Sequence, residues 1–71
     1  MHINRKYLKD KILEVSHEKN IIDATKKIQE MYGIQYYVLY NFTRKSVPKE
    51  ETLLKTIKHL GLDTNKLFVI D

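Results

Sequence analysis

Apolar side chains recur at helical spacing in three stretches of this chain. In residues 6–17, Leu8, Ile12, Leu13 and Val15 follow that spacing with no Gly or Pro among them, which predicts a first helix. A second helix is read from the stripe Ala24, Ile28 and Met31, continued by Tyr32 and ended by Gly33. Asp23 is the better candidate for its N-cap and Asn20 the other. The third helix has the apolar face Leu53, Leu54, Ile57 and Leu60. Ser46 or Pro48 stands near its start, Glu50 and Glu51 suit the positive end of its dipole, Lys55, Lys58 and His59 load the later turns, and Gly61 stops it.

Two stretches read both ways. Residues 34–42 are rich in aromatic and β-branched side chains, a composition that favours a strand, yet Tyr36 to Tyr40 shows no alternation. Helical spacing would instead turn Ile34, Val38 or Leu39, and Phe42 inward. Residues 43–48 form a polar turn closed by the single proline. Residues 62–71 read as a short helix capped by Asp63 or Thr64, or as a turn leading to a terminal strand at 67–70.

With 71 residues the chain has room for one domain and one small core, and none for a separate sensor or oligomerisation domain. The absence of cysteine removes disulfides, cysteine catalysis and thiolate zinc sites. No apolar run is long enough to span a bilayer and the first residues lack a signal-peptide core, so a cytoplasmic protein is expected. His2, His17 and His59 lack ligand spacing, no carboxylate pair sits in an apolar context, and two glycines make no phosphate-cradling loop. These features point away from an enzyme and from any metal or cofactor. The net charge of +4 says little as a total. Its placement says more: residues 1–45 hold nine basic and five acidic side chains, residues 46–71 four of each. A polyanion-binding face is therefore sought in the first two thirds.

A helix, Gly33, an inward Ile34 and a following segment anchored by Leu39 and Phe42 is the order of a helix-turn-helix. With Tyr32-Gly33-Ile34, the basic loop ending in Pro48, Glu51-Thr52-Leu53-Leu54-Lys55 and Leu60-Gly61-Leu62, the chain resembles the Cro-type, phage repressor-like helix-turn-helix family over about residues 8–68. It departs from the family pattern at Gln29, where alanine is usual, and at Thr25, where glutamine is usual. It also carries Thr43-Arg44-Lys45 in place of an Asn-Gly loop. The resemblance implies an all-α domain of four or five helices spanning residues 1–71, with the C-terminal strand at 67–70 still open. It makes 35–42 a recognition helix.

That helix would enter the major groove of double-stranded DNA. Gln35 can bond adenine bidentately, and Tyr36, Tyr37 and Tyr40 can meet thymine methyls or phosphate, with Asn41 beside them. Arg44 and Lys45 would hold phosphates, as would Thr25, Lys26 and Lys27 near the start of the preceding helix. The function implied is a sequence-specific transcriptional regulator of phage-repressor or mobile-element type. It would act as a homodimer joined through residues 62–70, by strand pairing or by helix packing. A rival reading keeps the scaffold and changes the partner. As an antirepressor, antitoxin-like partner or host-takeover factor, the chain would bind protein through Tyr36, Tyr37 and Tyr40, since tyrosine is also enriched at protein interfaces.

Overall fold

Asn4 opens the first helix, its side-chain oxygen accepting the Tyr7 amide at 3.0 Å. In the computed structural model, which describes residues 2–70, five helices and one two-stranded sheet follow. In chain order they are β1 (His2–Ile3), α1 (Arg5–Ser16), α2 (Ile21–Tyr32), α3 (Tyr36–Arg44), α4 (Glu50–Leu60), α5 (Thr64–Leu67) and β2 (Phe68–Val69). The fold is mostly helical, and the composition-based strand preference at 34–42 is overturned. Leu39 and Phe42, three apart, both reach zero exposure only as the inner face of a helix.

α1 is the hub and packs on α2, α3, α4 and α5. Its Leu8 and Ile12 are fully buried and meet Ala24, Ile28, Ile34, Leu39, Phe42, Leu60, Leu62 and Leu67 in one core. Three expectations about faces and caps are corrected. The N-cap of α2 is Asn20, whose side chain accepts the amides of Ile22 and Asp23 at 2.8 and 3.4 Å, so Asp23 lies inside the first turn. Met31 falls off the buried stripe and is 44% exposed. In α4, Leu54 is 57% exposed and Thr56 takes the inner place instead. Thr56 tolerates burial because its hydroxyl donates to the Thr52 carbonyl at 2.7 Å.

Both readings of the tail are realised in succession. Asp63 caps the one-turn α5 by accepting the Asn65 amide, and the chain then extends into β2. β2 pairs antiparallel with β1, His2 against Val69 and Ile3 against Phe68, and the Asn4 amide donates to the Leu67 carbonyl. The tail therefore finds its first partner within its own chain. Leu62 and Leu67 are core, and Ile70 is the large apolar side chain of this segment left open, at 86% exposure. Among the described residues no helix is long and apolar enough to cross a membrane.

Candidate nucleic-acid interface

A three-residue turn sets α3 against α2. Gly33 adopts φ +74°, a left-handed conformation that side chains with a Cβ resist, and its amide donates to the Gln29 carbonyl at 2.8 Å. Ile34 is 2% exposed and pins the turn to the core. Gln35, the residue before α3, makes no side-chain cap. The cap comes from α2: Gln29 Oε1 accepts the Tyr36 amide at 2.8 Å. The long polar side chain at position 29 thus joins the two helices directly.

The other end of α3 is held from α1. Arg5 donates through Nη1 to the Phe42 carbonyl and, at 3.0 Å, to the Ser46 carbonyl. A cation at the C-terminal carbonyls complements the helix dipole and satisfies an acceptor that the helix itself leaves open. The amides of Lys45 and Ser46 both donate to the Asn41 carbonyl, at 2.9 and 3.0 Å, closing the last turn. α3 continues through Thr43 and Arg44, two residues beyond the expected recognition helix, so Arg44 sits on the helix and Lys45 just past it.

With Leu39 and Phe42 inward, Tyr36, Tyr37, Tyr40, Asn41 and Arg44 share the opposite face. Tyr37 is the most open tyrosine at 53% exposure, Tyr40 is half-buried, and Gln35, Tyr36, Asn41, Arg44 and Lys45 are exposed. The rings are ordered by neighbours. Lys26 Nζ lies 5.4 Å from the centroid of Tyr36, Arg44 Cζ 5.4 Å from that of Tyr40, and Tyr36 meets Tyr37 edge to face at 6.0 Å. Each such cation–ring contact contributes about 0.5–1 kcal/mol at an exposed site. It also holds two cations at the flanks of the tyrosine face. From Met31 to Lys49 the sequence has no Asp or Glu, while Arg44, Lys45 and Lys49 are basic.

Three grooves flank α3, the smallest, about 310 Å³, lined by Gln35, Val38, Glu51 and Lys55 among others; the other two differ in charge. That on the α2 side, about 610 Å³, is lined by Glu18, Asp23 and Glu30 as well as Lys26, Lys27 and Tyr36, so its charge is mixed. That on the other side, about 500 Å³, is lined by Gln35, Tyr37, Val38, Asn41, Val47 and Pro48 among others, and no carboxylate faces it. Seven of the ten residues singled out from the sequence (Gln35, Tyr36, Tyr37, Tyr40, Asn41, Arg44 and Lys45) therefore lie on α3 or at its ends. Lys26 joins them through Tyr36, and Lys27 stays on α2 at the mixed groove. Thr25 does not belong. It is fully buried, its hydroxyl donates to the Ile22 carbonyl at 2.9 Å, and it stands in the second turn of a helix that begins at Ile21. Its expected phosphate contact is withdrawn on that geometry.

Gln29, Arg5 and Val47 are the residues that reading the sequence missed. Gln29 carried a signal, because a helix preceded by a weak capping residue invites a cap from the preceding helix. Arg5 carried none, its acceptors being 37 and 41 positions away. Elsewhere, Tyr32 and His59 stack at 4.6 Å and tie the ends of α2 and α4 together. Among the described residues no cluster of His, Asp and Glu could hold a metal ion. No family model matches this chain, and no curated protein or solved structure matches it either.

Proposed function

We propose that this protein is a sequence-specific double-stranded DNA-binding regulator that places α3 in the major groove. The observation that carries the reading is the outer face of α3. It combines hydrogen-bonding and aromatic side chains with flanking cations, on a stretch without a single carboxylate, and it is braced at both ends by other helices. Gln35, Tyr37 and Asn41 reach base edges, while Arg44, Lys45 and Lys26 hold phosphates and set the register. The role is binding: occupancy of the site would regulate by obstruction.

Two copies are needed to read a two-fold site, with half-sites about 34 Å apart. The surface proposed for pairing is the two-stranded sheet with the exposed Ile70 beside it. Selection from a random duplex library with the full chain, at stated ionic strength, tests the function. An enriched motif whose binding weakens steeply with salt is expected. No enriched motif, together with absent or salt-insensitive binding, overturns the DNA reading and leaves the tyrosine face to a protein partner.

A further inference from the structure

We infer that the half-site read by α3 is rich in A·T pairs and is recognised through thymine methyl groups and adenine edges rather than through guanine. The inference rests on the DNA-binding reading and specifies its ligand. The chemistry of the face decides it. In the major groove guanine is read by Arg or Lys and cytosine by Asp or Glu. Adenine is read by Asn or Gln, and thymine by apolar contact with its methyl. The first two turns of α3 and its preceding residue expose Gln35, Tyr36, Tyr37 and Asn41, with Val38 and Tyr40 half-buried beside them, and carry no cation and no carboxylate.

The cations lie where they serve the backbone. Arg44 is in the last turn, drawn over the Tyr40 ring, and Lys45 follows the helix. Lys26 is drawn over Tyr36 from the neighbouring helix. Beside α3 the groove of about 500 Å³ sets Tyr37, Val38, Val47 and Pro48 around the amides of Gln35 and Asn41. Val47 is 52% exposed although it is apolar and stands in a loop otherwise polar. An apolar wall next to two carboxamides is the complement of an A·T step, which offers a methyl group beside a donor–acceptor pair. Duplex DNA is the occupant argued for because Lys49 lines this groove and no carboxylate does, while Glu51 in the smaller neighbouring groove stands with Lys55.

The experiment uses the full chain and the duplex enriched from a random library. Each thymine in the motif is replaced singly by deoxyuridine, which removes the methyl and keeps the base pair. A·T pairs are expected at the positions under the first two turns of α3. At least one replacement should weaken binding about fourfold, the worth of one buried methyl. That penalty should shrink in Val47→Ala or in Tyr37→Ala, both exposed positions whose truncation leaves the core untouched. An enriched motif with G·C pairs at those positions overturns the inference while leaving the DNA reading intact. So does a set of replacements that all stay within twofold, or a penalty unchanged in both variants. Failure to enrich any duplex overturns both.

Discussion

Gln29 does two things at once, and two substitutions separate them. Gln29→Ala removes the acceptor for the Tyr36 amide, and loss of such a cap destabilises by about 1 kcal/mol. Gln29→Glu keeps an acceptor and adds a charge that the N-terminus of α3 favours, so thermal unfolding should show stability held or slightly raised. The same carboxylate stands beside Lys26 and Tyr36, where it would repel phosphate, so duplex affinity should fall in Gln29→Glu. Unchanged affinity there would remove the α2 side of the face from the DNA contact. Backbone conformation gives a second residue-scale prediction. His17 ends α1 at φ +59° with a full side chain, whereas Gly33 ends α2 at φ +74° without one. His17→Gly should stabilise by about 0.5–1 kcal/mol, and Gly33→Ala should cost about 1–2 kcal/mol, both read from denaturant midpoints. A Cβ at Gly33 would meet only Lys55 Nζ, at 3.7 Å, so the cost there is conformational rather than steric. The glycine and Ile34 were legible in the sequence because their constraints are local. The role of Gln29 was signalled only indirectly, by the weak cap at Gln35, and that of Arg5 not at all, since its acceptors at Phe42 and Ser46 lie far along the chain.

At the scale of the element, α3 shows why local composition misleads. Tyr and Val favour a strand by fractions of a kilocalorie per residue, whereas burying Leu39 and Phe42 on one helical face contributes about 1.5–3 kcal/mol each. Packing outweighs propensity, and the spacing of these two residues was the signal that counted. α4 shows the opposite lesson: its existence was plain and Leu53, Ile57 and Leu60 do face the core, but Leu54 does not. A buried Thr56 beside an exposed Leu54 depends on the rotation of the helix against α1, which no periodicity count fixes to one residue. Leu54→Lys should accordingly leave stability within about 0.5 kcal/mol, as for other surface changes. On the proposed reading, functional roles divide along α3 as well. Arg44→Ala should weaken binding to all duplexes alike and lower the salt slope by about 1, because a phosphate contact carries no sequence information. Gln35→Ala should leave that slope alone and relax preference at particular base pairs. Equal effects of the two variants on specificity would show that α3 is not oriented as proposed.

For the whole molecule the controlling fact is that one helix serves every other. Ile12 on α1 is fully buried at the centre of a 71-residue chain, and Ile12→Ala should cost about 2–5 kcal/mol. A domain of this size commands only about 4–10 kcal/mol in total, so most of the cooperative transition should be lost. The longest dimension is 33 Å, about one turn of duplex, and on the proposed reading a single copy would present one α3 to one half-site. Association is tested by sedimentation of the full chain against Ile70→Asp, which alters an exposed side chain and spares the buried Leu67. A dimer lost in the variant is expected, and two monomers at high concentration would exclude pairing through this surface. The tail's two-step course, helix and then strand, was legible only as alternatives, because the partner of β2 is the other end of the sequence. That pairing also couples the ends of the chain to its middle. It joins positions 67 and 65 apart in sequence, His2 to Val69 and Ile3 to Phe68. Arg5, two residues after β1, reaches the Phe42 carbonyl on α3 and the Ser46 carbonyl just beyond it. Opening of the clasp between the ends should therefore loosen, through Arg5, the brace on the helix proposed to read DNA.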